Sequence, residues 1–93
     1  MRVDLALKYL CLVKSRSSVR HLCGDGALLV NDHPVKPSAT LRVGDKVKIR
    51  SPHRTITIEL LSVPDKQLSK SVSSTYYAKI GESGTPGEQE AEW

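Results

Sequence analysis

The feature that most constrains this chain is a change of hydrophobic period within its first fifty residues. Val3, Ala6, Leu7, Leu10 and Val13 recur at the i, i+3, i+4 and i+7 spacing of a single helix face. Leu5, Tyr9 and Leu12 make a second, narrower stripe. The spacing predicts a helix from Val3 to about Lys14 that is apolar on two sides and therefore central. By Lys46-Val47-Lys48-Ile49-Arg50 the period has become two, with bases on one face and Val/Ile on the other. Helices first and strands second, within one short chain, predict an α+β domain. Its form would be two short N-terminal helices packed on a small antiparallel β-sheet, with a helical segment toward the C-terminus.

Local signals set the remaining boundaries. Ser15 to Ser18 offers caps for a second helix over about Ser17–Cys23, with Val19, Leu22 and Cys23 inward. Gly24-Asp25-Gly26 would end it. Ala27 to Val30 is a short apolar run, and Asn31-Asp32-His33-Pro34 reads as a turn cluster. Val35-Lys36 resumes extended, Val43-Gly44-Asp45 turns again, and Ser51-Pro52-His53-Arg54 precedes a strand over Thr55–Val63. Pro64 would close the sheet. Beyond it, Leu68, Val72, Tyr76 and Ile80 are spaced by four, which predicts a loosely packed helix covering the second stripe. The expected division is a domain over 1–80, its motif-bearing core at 2–63, and a disordered acidic tail over 81–93.

With 93 residues there is room for one domain and not for a multidomain enzyme or a transporter. No apolar stretch approaches the ~18 residues of a membrane span, so no membrane association is expected. Two cysteines make a poor disulfide framework, and the N-terminus does not read as a signal peptide, so a reduced cytoplasmic setting is expected. Catalysis is not expected. No Gly-x-Ser-x-Gly elbow or phosphate-binding glycine loop is present, and His21, His33 and His53 have no evident carboxylate partners. Cys11, His21 and Cys23 do not follow a common zinc spacing, so neither metal nor cofactor is expected.

Charge is the informative quantity. All fourteen Lys and Arg fall within residues 1–80, against six acids there, while the last thirteen residues hold four Glu and no base. Arg2, Lys8, Lys14, Arg16 and Arg20 lie in the two-helix unit, where Asp4 is the only acid before Asp25. Arg16 and Arg20 are four apart and share a helix face. Guanidinium forks match phosphate geometry, so the unit is a candidate polyanion-binding surface; an ordinary solvated face is the bland alternative. The chain has three Tyr, one Trp and no Phe. It lacks the aromatic platform on which single-stranded bases stack, so backbone and shape would be read instead.

The residues Arg2-Val3-Asp4, Leu7, Lys14-Ser15-Arg16-Ser17, Arg20, Gly26, Val30-Asn31, Val35-Lys36-Pro37-Ser38 and Val43-Gly44-Asp45 fall in order. In that order and spacing the chain resembles the S-four-type RNA-binding domain, named from small-subunit ribosomal protein four. The resemblance covers residues 2–50. Short free-standing members look most similar, above all the ribosome-associated quality-control factor P group, with the ribosome-associated heat-shock RNA-binding group next. The resemblance implies a non-catalytic, monomeric factor for translation that contacts large-subunit rRNA and peptidyl-tRNA on obstructed subunits. It would support tailing of the stalled chain by the partner factor H. It implies RNA contacts at Arg2, Lys14, Arg16 and Arg20, with Lys8 and Lys36 as weaker candidates. Asn31 is expected to be structural, and Asp4 to cap the helix or orient an Arg. Leu5, Cys11 and Ala27 stand where the family commonly has bases, and Asp32 where it has Gly. The alternatives are heat-shock-type recycling of large subunits, a targeting module for an RNA-modifying enzyme, or a protein adaptor using a sheet edge.

Overall fold

The first helix is shorter than its apolar pattern. In the computed structural model, which describes residues 1–51 and 54–84, α1 spans Val3–Tyr9 and stops at Leu10 rather than near Lys14. Cys11 takes a left-handed conformation at φ 60°, its N–H bonding the carbonyl of Lys8 and that of Leu12 the carbonyl of Leu7. This pair of bonds is a Schellman termination, with buried Leu7 and Leu12 at its hydrophobic positions. Glycine normally occupies the left-handed position, and a cysteine there leaves no stop signal to read. After α1 the chain is no longer helical at Leu12 and Val13, yet both remain buried in the core.

The second helix, α2, spans Arg16–Gly24, one residue beyond the expected ends on each side. Ser15 caps it, its Oγ accepting from Ser18 N–H at 3.4 Å. It ends in the same motif as α1, here with Gly26 left-handed at φ 67° and with Gly26→Cys23 and Ala27→Leu22 bonds. Val19 is fully buried, while Leu22 and Cys23 pack partly buried against the core.

Five antiparallel strands form one sheet in the order β2-β1-β3-β4-β5. They are β1 Leu28–Val30, β2 His33–Pro34, β3 Lys46–Arg50, β4 Arg54–Leu60 and β5 Tyr77–Gly84. The expected turn cluster at 31–34 resolves into a two-residue hairpin loop, because His33 already pairs with Val30. Asn31 and Asp32 sit at φ 53° and 68°, the positive values that a primed hairpin turn requires. The strand expected over 55–63 runs instead over 54–60 and ends where Leu61 and Ser62 turn to bond the Tyr76 carbonyl. One face of the sheet presents Leu28, Val47, Ile49, Ile56, Ile58 and Leu60, which close a core with Val3, Ala6, Leu7, Leu10 and Val19. Each Val, Leu or Ile among them contributes about 1.5–3 kcal/mol by leaving water, and Ala6 less.

The largest departure is in residues 65–80. Only α3, Lys70–Ser73, is helical, and the chain then extends into β5 along the free edge of β4. The i+4 spacing of Leu68, Val72, Tyr76 and Ile80 is thus not a helix face. Leu68 is buried, whereas Val72 and Ile80 are close to half exposed. Pairing seven residues with β4 satisfies the backbone groups on its free edge and outweighs weak helical propensity in a Ser- and Thr-rich stretch. The segment does lean on the end of α1, as a loop. Leu68 N–H bonds the Tyr9 carbonyl, Cys11 Sγ bonds the Leu68 carbonyl, and Gln67 Nε2 donates to the Lys8 carbonyl. Residues 81–84, expected as tail, belong to β5, and the rest of the expected tail, 85–93, lies outside the described residues.

Candidate nucleic-acid interface

The N-terminus is held by a strap. Met1–Asp4 runs beside residues 37–41, with Val3 N–H bonded to the Ala39 carbonyl, Asp4 N–H to Pro37 and Leu41 N–H to Met1. Arg2 and Thr40 form an isolated antiparallel bridge. The strap places the Lys36-Pro37-Ser38 turn at the start of α1 and fixes the backbone from which Arg2 and Asp4 project.

Asp4 is the centre of the site. Its side chain is only 4% exposed, although it lies in the first turn of α1 and carries a charge. Such burial of a carboxylate is costly unless it is paired and hydrogen-bonded, and here it is both. Arg2 forks onto it, Nε to Oδ1 at 3.2 Å and Nη2 to Oδ2 at 3.0 Å. Arg16, at the first position of α2, brings Nε and Nη2 to Oδ2, each at 3.2 Å. Leu5 N–H completes the shell by donating to Oδ1 at 2.7 Å. Burial pushes the Asp4 pKa up, but the Arg2, Leu5 and Arg16 bonds and the Arg16 charge outweigh it and hold the group below its ordinary 3.8.

Two cations share one anion, so the cluster keeps a net positive charge. The Arg2 and Arg16 side chains are 49% and 45% exposed, and each spends its Nε–Nη2 edge on Asp4. The Nη1 groups remain to face an incoming acceptor. An oxyanion such as a backbone phosphate fits this arrangement, since both guanidinium planes are oriented in advance and little rotamer entropy remains to be lost. Asp4 therefore orients Arg2 and Arg16, as the sequence suggests.

Around this centre the other candidates are placed unequally. Arg20 is exposed one turn along α2 from Arg16, and Lys8 half-buried one turn along α1 from Asp4, so each continues a row that starts at the cluster. Lys14 is exposed in the α1–α2 connection, and Lys36 is exposed on the strap turn. Direct contact is shown only between Arg2, Arg16 and Asp4. Cys23 lies within the field of Asp4; burial first, and that carboxylate second, push its thiol up. Asn31 is structural: its amide donates to Asp45 Oδ1, and its carbonyl oxygen accepts from Lys46 N–H. Among the described residues no group of three or more His, Cys, Asp or Glu is placed to hold a metal ion, and no helix is long and apolar enough to cross a membrane. The strap partners Pro37, Ala39 and Thr40 are not legible as site residues, because they act through backbone groups.

The family model for the S4 domain matches residues 1–47, which include Asp4, both arginines, the strap and the β1–β2 hairpin. The RQC P-site tRNA stabilizing factor of Halalkalibacterium halodurans is 29% identical over 79 residues, covering 85% of this chain and 90% of that protein. The protein of the same name from Bacillus subtilis is 24% identical over 76 residues, covering 82% and 88%. The trimeric structure of Vibrio cholerae Heat Shock Protein 15 superposes with a TM-score of 0.80 at 24% identity, over 86% of this chain and 81% of that one, a likeness of fold. Helix pair, strap and hairpin together with the match over residues 1–47 place this chain in the S4 domain family.

Proposed function

We propose that this chain is a non-catalytic RNA-binding factor of ribosome-associated quality control. It would bind rRNA and peptidyl-tRNA on obstructed large ribosomal subunits, as a monomer, and support C-terminal tailing of the stalled chain by the partner factor H. The observation that carries the reading is the match to two proteins named RQC P-site tRNA stabilizing factor, which spans more than four-fifths of each chain. The Asp4 cluster supplies the chemistry. Arg2 and Arg16 form the central phosphate clamp, Arg20 and Lys14 extend it along α2 and its entry, and Lys8 and Lys36 flank it. Phosphate contacts of this kind fix position and register without reading sequence, which suits a factor that recognises a shaped ribosomal surface. The fold likeness to Heat Shock Protein 15 keeps recycling of large subunits as the second reading.

Co-sedimentation with purified large subunits, empty and carrying peptidyl-tRNA, tests the proposal. Wild-type protein is expected to pellet preferentially with the obstructed subunit, and more strongly when factor H is added. Equal pelleting with both subunits would reduce the reading to a general rRNA-binding module, and no pelleting with either would refute it.

A further inference from the structure

The sheet has a second face, and its charge is arranged for a polyanion. Strand alternation sends Val47 and Ile49 of β3 into the core, so Lys46, Lys48 and Arg50 project from the side away from the helices. Register places these bases opposite Glu59, Thr57 and Thr55 of β4. The first of these is an acid, and Lys48 also meets Asp32 at 3.5 Å, but Asp32 is 85% exposed and the pair is weak in water. Among the described residues neither Lys46 nor Arg50 makes an ion pair. A groove of about 450 Å³ runs across this face between the β1–β2 turn and β5, lined by Asn31, Asp32, Lys46, Lys48, Thr57, Ile80 and Gly81, so two bases face one exposed acid. At Gly81 a side chain would touch Thr57 at 3.7 Å, and a β-bulge between Thr57 and Ile58 marks the same place.

We propose that this outer sheet face is a second RNA-backbone-binding surface, on the opposite side of the domain from the Asp4 cluster. The choice of RNA as the polyanion rests on the proposed function. Residues two apart on a strand are separated by about 6.7 Å, comparable with successive phosphates along a nucleic-acid chain, so the β3 row offers one cation per phosphate. Lysine, arginine and threonine are among the usual phosphate contacts. An acidic protein partner fits less well, because protein interfaces rely on buried aromatic and apolar anchors, and Ile80 is the one large apolar side chain lining the groove. With one basic surface on each layer, the protein joins two RNA segments rather than coating one.

The test is sedimentation velocity of the whole chain with a fluorescently labelled RNA stem-loop, comparing wild type, Arg2→Ala/Arg16→Ala and Lys46→Ala/Lys48→Ala/Arg50→Ala. Wild type is expected to carry about two RNAs per protein at saturation and each variant about one. The sheet variant should reduce the log–log salt slope of binding by about 2–3, from three lost cations. Circular dichroism melting should be unchanged in the sheet variant, since its three side chains leave the core untouched. One RNA per wild-type chain, lost in Arg2→Ala/Arg16→Ala and unaffected by the sheet substitutions, would overturn this inference and leave the proposed function standing. RNA binding lost only in the sheet variant would support the sheet surface and move the proposed site away from the arginine pair. Capture of polyglutamate but not RNA by the sheet face would overturn the inference in favour of an acidic protein partner.

Discussion

Asp4 does two opposed things to the proposed phosphate site: it subtracts a charge, and it aims the two charges that remain. Asp4→Asn separates these effects. The substitution raises the net charge by one, which alone would strengthen RNA binding. If aim dominates, affinity falls despite the added charge, and filter binding at fixed salt reads the sign directly. The same change removes the charge-assisted bonds to Arg2 and Arg16 while an amide oxygen still accepts from Leu5 N–H. Both arginines are half exposed, so the stability cost is at the lower end for charged bonds, about 1–2 kcal/mol. That lowers Tm by roughly 4–16 °C in a domain of this size. The pH dependence follows from the depressed Asp4 pKa. Its stabilisation is fully present above about pH 4, where the unfolded chain is also ionised, and is lost as pH falls through the lower folded value. Acid melting of Asp4→Asn should lack this component. An unchanged acid limb would show that Asp4 contributes nothing. At this scale the sequence is a good guide, because Arg2, Asp4 and Arg16 are recognisable as residues. The strap is not, since Ala39 and Thr40 contribute main-chain groups that any residue carries.

Elements are legible where the sequence holds their punctuation. Ser15 and Gly26 bracket α2, and the alternation of Lys46–Arg50 identifies β3, in agreement with the structure. α1 runs short because its terminating position holds Cys11 instead of glycine, and the apolar residues beyond it serve the core from a non-helical stretch. β5 is invisible for a different reason. What specifies it is the unpaired edge of β4, a partner fifteen or more residues away, while the local spacing from Leu68 to Ile80 imitates a helix. This assignment has consequences for truncation. Cutting after Gly84 keeps the whole ladder, whereas cutting after Tyr76 removes β5 and frees the β4 edge beside Ile56, Ile58 and Leu60. The shorter chain is expected to lose several kcal/mol, and to form larger species in size-exclusion chromatography while the longer one does not. Equal melting temperatures for the two would mean that β5 adds nothing to the sheet.

The whole molecule is a two-layer plate with the proposed arginine clamp on the helical layer and a basic row on the sheet. Its small core is made by the inner sheet face and the buried sides of α1 and α2, so the charged residues proposed to bind RNA lie outside that core. Removing Arg2 and Arg16 opens no cavity but leaves the buried Asp4 carboxylate unpaired, so the double variant is expected to melt lower, and its binding is read below its own Tm. The most direct measurement is the salt dependence of RNA affinity, by fluorescence anisotropy with one labelled stem-loop, for wild type and Arg2→Ala/Arg16→Ala. Phosphate contact by about five bases predicts a wild-type log–log slope near −4, and loss of two cations should make it shallower by about 2. A variant with wild-type affinity and slope but a lowered Tm would contradict the account, leaving the arginine pair as part of the fold and not of an RNA site.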